Sequence, residues 1–150
     1  EIAEIGNAFQ PTTEMALESK AQGAAFLNAI CAAWPSWQLT HILELLNHKT
    51  DSVAYPVAVG VTSAIHSLTL NEALSAYLNS VSTNLVSAGI RLIPLGQTSG
   101  LQIISGLAKC VLKVKETILE SSLKDIAGAT LLVDWTSACH ETQHTRLFRS

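Results

Sequence analysis

Thr69-Leu70-Asn71-Glu72-Ala73-Leu74-Ser75-Ala76-Tyr77-Leu78-Asn79-Ser80-Val81-Ser82-Thr83-Asn84-Leu85 opens with a threonine followed three residues later by a glutamate. That spacing is a capping box, in which the hydroxyl accepts from a first-turn backbone N–H and the carboxylate reaches back to the cap. Behind it, Leu70, Leu74, Tyr77, Leu78, Val81 and Leu85 recur at three and four residues and gather on one helical face. Ser75, Asn79, Ser82 and Ser87 form the other face, and no charge occurs between Glu72 and Arg91. A helix with so weakly polar an outer face is expected to be central or to face an interface.

The same spacing extends in both directions. Thr12 and Thr13 after Pro11 read as the N-cap of a helix through Ala16, Gly23, Phe26, Leu27, Ile30 and Ala33, stopped by Pro35. A shorter helix is expected around Leu39, Ile42, Leu43 and Leu46. Another follows Pro56, with Val57, Val61, Ala64 and Ile65 as its buried stripe. From Leu101 to Ile118 a further helix sets Ile104, Leu107, Ala108, Val111 and Ile118 against Gln102, Ser105, Lys109, Lys113, Glu116 and Glu120. Asp51 to Tyr55 and Ile93 to Thr98 read as loops. The residues Gly96-Gln97-Thr98-Ser99-Gly100 then read as a tight turn capped by Thr98, because the lysine of a phosphate-binding loop is missing. The expected fold is all-α, a single-domain helical bundle.

Composition narrows the function. The chain has 150 residues, of which 48% are hydrophobic and 14% charged, with a net charge of -3. An ordinary soluble domain carries about 25% charged residues, so part of this surface is expected to meet a partner. No basic stripe is present to release counterions from a polynucleotide, which argues against nucleic acid. Three widely spaced cysteines, Cys31, Cys110 and Cys139, fit reduced thiols in a cytoplasm. Charge-free stretches from Ala21 to Leu43 and from Ser52 to Asn71 invite a membrane reading. Pro35, Pro56, Asn28, Gln38 and His66 within them favour buried helices instead.

His140-Glu141-Thr142-Gln143-His144 matches H-E-x-x-H, which on a helix puts two imidazoles on one face for zinc with the glutamate as general base. Such a site needs a third protein ligand, and residues 145 to 150 contain no His, Asp, Glu or Cys. His140 and His144 are therefore weak metal candidates. The alternative function they define is a small zinc hydrolase. A membrane-associated helical protein is a second alternative.

Two stretches carry a resemblance. Arg91-Leu92-Ile93-Pro94-Leu95-Gly96-Gln97-Thr98-Ser99-Gly100-Leu101-Gln102 resembles the R-L-V-P-L-G-Q-T-x-G-Q segment of the urease accessory protein UreF family. His140-Glu141-Thr142-Gln143-His144-Thr145-Arg146-Leu147-Phe148-Arg149-Ser150 is similar to that family's terminal H-E-x-Q-Y-S-R-L-F-R-S. Weaker similarity runs through Glu14 to Gly23 and Leu74 to Ala88. The family's usual tail tyrosine is His144 here, and that change alone creates the H-E-x-x-H match. The family's N-terminal helical region, with its L-P-x-G-x-F-x-Y-S-x-G-type motif, has no counterpart, so the chain looks like the C-terminal two-thirds of such a protein.

The resemblance implies a cytoplasmic, non-enzymatic maturation chaperone of the all-helical UreF type, without a tightly bound cofactor. Its implied partners are the accessory protein UreD (also called UreH), the GTPase UreG and apo-urease, to which the assembly delivers nickel, and it implies a homodimer. On this reading residues 1–139 are a UreF-like helical domain and 140–150 a docking tail. Partner contacts are expected at His140, Glu141, Gln143, Arg146, Leu147, Phe148 and Arg149, and at Arg91, Gly96 and Gln97. Arg and aromatic side chains dominate interface energies, which suits Arg146, Phe148 and Arg149 to that role.

Overall fold

The computed structural model describes residues 2–45, 53–128 and 130–144. Among them the chain forms seven α-helices and no strand: α1 Ile2–Ala8, α2 Thr13–Ala33, α3 Trp37–Leu45, α4 Tyr55–Ile65, α5 Leu70–Leu92, α6 Gln97–Glu120 and α7 Leu131–Glu141. A short 3-10 turn occupies Leu123–Asp125. The all-α expectation holds. No helix among the described residues is long and apolar enough to cross a membrane. The chain divides into two compact units, residues 1–67 with 127–150, and residues 68–126.

In the first unit α2 packs along α4, α1 and α3 rest on α4, and α7 lies on α2. The N-cap of α2 is Thr12, whose side chain accepts from the Met15 N–H at 3.3 Å. Leu27, Leu39, Val53 and Ala58 are buried together, with Phe26, Ile30, Cys31, Leu43, Val57 and Ile65 around them. The centre of the α4 stripe therefore falls on Ala58 and Thr62, one position from the expected Val57 and Val61, and Ala64 is exposed. Small residues occupy the line of closest approach, and the branched valines flank it. Thr62 is buried without loss because its hydroxyl turns back to the Ala58 carbonyl at 2.8 Å.

Gly23 lets α2 meet the entry to α4. A Cβ there would collide with the Val53 carbonyl oxygen and lie 3.1 Å from the Tyr55 nitrogen. Ser19 Oγ accepts from the Tyr55 N–H at 3.2 Å, and the Phe26 and Tyr55 rings meet edge to face at 5.7 Å. Pro56 sits in the first turn of α4, as expected from its missing N–H.

The second unit is the α5–α6 hairpin. Its capping box forms: Thr69 accepts from the Glu72 N–H at 3.3 Å, and Glu72 accepts from the Thr69 hydroxyl at 2.7 Å and the Thr69 N–H at 2.9 Å. Leu74, Tyr77, Leu78 and Val81 are half-buried, but Leu70 and Leu85 stand exposed, and no α5 residue is fully buried. A single partner helix leaves part of the stripe uncovered. Gly100 is buried because a side chain there would run into Ile90. The α6 N-cap is Gly96 in extended geometry, not Thr98, which lies inside the first turn. The Gly100 N–H already bonds the Gly96 carbonyl at 3.1 Å, so helix begins two residues earlier than the hydroxyl suggested. Leu101, Leu112 and Leu119 remain exposed on α6 beside its charged side chains.

Hydrogen bonds from the Thr69 hydroxyl, then its backbone N–H, hold the Glu72 carboxyl below the usual range. A lowered folded value means that the cap's stabilisation is present above that range and lost as pH falls through it. Carboxyl carbon NMR titration should therefore place Glu72 below an unperturbed glutamate. Thr69→Ala should move it back up; an unchanged titration in that variant would refute the assignment.

Candidate functional site

The motif-bearing residues His140 and Glu141 end α7, which lies against the start of α2. Three polar contacts join the helices. Thr12 Oγ1 and Ser137 Oγ are 2.8 Å apart. The Glu14 carboxylate accepts from His140 Nδ1 at 2.7 Å, with the two side chains 13% and 33% exposed. The Glu14 backbone N–H, one of those that a helix start leaves without an intrahelical acceptor, donates to Glu141 Oε1 at 3.1 Å. A carboxylate suits the positive end of α2. His140 and Glu141 thus act as a clamp between two helices more than a hundred residues apart in sequence.

The α7 helix ends at Glu141 with Thr142 as its C-cap, so His144 lies beyond the helix and the two-imidazole face is not built. The described residues contain no group of three His, Cys, Asp or Glu side chains placed to hold a metal ion. The α7 helix includes both Cys139 and His140. Gln143 follows the helix and donates its backbone N–H to the His140 carbonyl at 3.1 Å.

Between α2 and α7 lies an open cleft of about 410 Å³, lined by Glu14, Met15, Glu18, Val133, Thr136, Ser137 and His140. Outside it, α7 turns Leu131, Leu132 and Trp135 to solvent, 79%, 76% and 69% exposed. A second, apolar and partly open cavity of about 150 Å³ in the first unit is lined among others by Leu27, Leu43, Val53 and Ala58.

The remaining candidates fall into two groups. Arg91, Gly96 and Gln97 are at the α5–α6 turn: Arg91 in the last turn of α5, Gly96 as the cap and Gln97 as the first residue of α6. Arg146, Leu147, Phe148 and Arg149 lie outside the described residues. The motif reading missed Glu14, Thr12 and Ser137 as partners of the His140 segment. Glu14 stood in the sequence only as an acidic residue in the first turn of a helix.

Comparison with known proteins gives a family model, UreF, matching residues 1–108. The chain is similar to the urease accessory protein UreF of Rhodopseudomonas palustris (strain BisB5), 43% identical over 149 residues, which is 99% of this chain and 60% of that protein. It is 43% identical over 150 residues to the protein of that name from Bradyrhizobium sp. (strain BTAi1 / ATCC BAA-1182), covering 100% of this chain and 61% of the relative. It is 42% identical to that of Xanthobacter autotrophicus (strain ATCC BAA-1158 / Py2), with 100% and 60% covered. The chain thus spans about three-fifths of the length of these curated relatives. No solved structure matches it significantly.

Proposed function

The chain belongs to the UreF family of urease accessory proteins, and on that premise we propose that it is a non-enzymatic adaptor of urease maturation in the cytoplasm. It binds UreD (UreH), recruits the GTPase UreG, and so serves nickel insertion into apo-urease, working as a homodimer. Nickel is cargo of the assembly, not a resident cofactor of this chain.

The observation that supports this reading best is the outward face of α7. Leu131, Leu132 and Trp135 stand exposed on the helix that leads into residues 145–150. Contiguous exposed apolar side chains mark interaction sites, and tryptophan is among the commonest anchors. Arg146, Leu147, Phe148 and Arg149 follow α7 in the sequence and supply two guanidinium groups and two apolar side chains. An Arg-rich end that only solubilised an apolar protein would not need Leu147 and Phe148 between its charges.

Phe148→Ala and Arg149→Glu should each weaken UreD binding at least tenfold, about 1.4 kcal/mol, and lower nickel-dependent urease activation in parallel. Helicity should be unchanged. The measurement is co-purification with UreD followed by titration calorimetry. Wild-type affinity in a chain lacking residues 145–150 would overturn the assignment of the tail as the docking element.

A further inference from the structure

We propose that Glu14, on α2, is a positioning residue for the partner surface: its hydrogen bonds with His140 and Glu141 fix the direction in which α7 presents Leu131, Leu132 and Trp135. The proposal rests on the reading of that outward face as a partner surface and adds what holds the face ready. It gives His140 and Glu141 a role inside the first unit in place of contact with the partner.

The two sides of α7 differ. At 3.6 residues per turn, Ser137, His140 and Glu141 centre on one side of the helix, and Leu131, Leu132 and Trp135 centre on the opposite side. The first three meet α2, and the other three stand exposed. No residue of α7 is buried, and a helix of 11 residues is marginal alone in water. Little apolar packing therefore opposes a roll of α7 about its axis, and such a roll turns the apolar face by the same angle.

Glu14 supplies two of the three contacts that oppose the roll. Its carboxylate, 13% exposed, accepts from His140 Nδ1 at 2.7 Å. Its backbone N–H donates to Glu141 Oε1 at 3.1 Å and is held by the first turn of α2, which Thr12 caps. Bonds from one residue to two successive residues of α7 fix a rotation, where a single bond would act as a pivot. Thr12 and Ser137, 2.8 Å apart, add a third point one turn away. A surface held in its bound direction before association loses less conformational freedom on binding.

Titration calorimetry of the full chain with purified UreD tests the proposal. Glu14→Ala should weaken binding about tenfold, within the usual range of coupling between distinct sites. Glu14→Gln keeps an acceptor oxygen for His140 and should stay near wild type. Glu18→Ala should also bind as wild type, since Glu18 lines the same cleft but accepts from Gln22 of its own helix. His140→Ala should match Glu14→Ala, and the double variant should be no weaker than either, because each removes the same bond. The Glu14 amide gives a second readout: no intrahelical acceptor protects it, so its hydrogen exchange reports whether Glu141 is seated. Coupling is reciprocal, so saturating UreD should slow that exchange several-fold. A residue that served stability alone would leave this local exchange unchanged by UreD.

Wild-type affinity in Glu14→Ala, additive losses in the double variant, or an equal loss in Glu18→Ala would each overturn the proposal. The last two would place His140 or the cleft itself against UreD. Trp135→Ala separates the failures. Weaker binding there beside wild-type affinity in Glu14→Ala removes only the positioning, and unchanged binding in Trp135→Ala removes the partner surface on which it rests.

Discussion

Gly23→Ala should cost unit 1 about 3 kcal/mol or more, at the upper end of what overpacking costs. The added methyl would collide with the Val53 carbonyl oxygen and sit 3.1 Å from the Tyr55 nitrogen and 3.2 Å from the Ala54 carbonyl carbon. All three are backbone atoms, so no side-chain rotation relieves the overlap. The start of α4 must move off α2, and the Ser19–Tyr55 hydrogen bond and the Phe26–Tyr55 ring contact go with it. Alanine's better helix propensity returns only about 1 kcal/mol. Against a total of roughly 5 to 15 kcal/mol, the net loss is large. Gly106→Ala in α6 is the matched control, because nothing lies within 4 Å of the added carbon. It should stabilise by about 0.5 to 1 kcal/mol. Thermal melts of the two variants should move in opposite directions; a Gly23→Ala protein melting at or above wild type would show that α2 and α4 do not approach so closely.

Leu39→Ala should cost about 3 kcal/mol, within the 2 to 5 typical of emptied leucine sites. Leu39 is 1% exposed and the one buried residue of α3, packed with Leu27, Val53 and Ala58. Ser36 caps this short helix by accepting from the Leu39 N–H at 3.1 Å. A nine-residue helix is marginal alone in water, so losing its anchor should also loosen α3 itself. Leu85→Ala removes the same atoms from an exposed site on α5 and should change stability by less than about 0.5 kcal/mol. Denaturant midpoints at constant slope test the pair. Equal shifts would mean that burial does not distinguish the two leucines.

These two leucines show where the sequence was readable. Local chemistry was legible: the Thr69–Glu72 box, the Thr12 cap and Pro56 in a first turn each depend on neighbours within four residues, and each stands where expected. Periodicity identified stripes but not how deeply they are covered. Leu85 and Leu39 look alike in a pattern, and only the number of packed neighbours separates them. The α4 centre was missed for a related reason, because close helix approach selects Ala58 and a self-satisfied Thr62 over larger valines. The cap at Gly96 was missed because a hydroxyl is a visible signal and an extended glycine is not.

The family was legible from short stretches at the α5–α6 turn and the chain end, and the matched relatives agree with it. The contacts of His140 were not. Its partner Glu14 lies 126 residues away, beyond anything that spacing along one helix encodes. The five-residue H-E-x-x-H match puts two imidazoles on one face only in continuous helix, whereas α7 stops at Glu141.

The first unit is assembled from two separated pieces of chain, with residues 68–126 between them. On a ribosome this imposes a timetable. The hairpin of residues 68–126 is contiguous and can form as soon as it emerges, since its contacts are short in sequence. α2 emerges much earlier, yet Thr12 and Glu14 wait for Ser137, His140 and Glu141, which are translated more than a hundred residues later. Throughout that interval the start of α2 is unclamped and the nascent first unit is incomplete. Slow codons or a stall between residues 68 and 126 would lengthen this exposure, and the clamp would close only after α7 had left the exit tunnel.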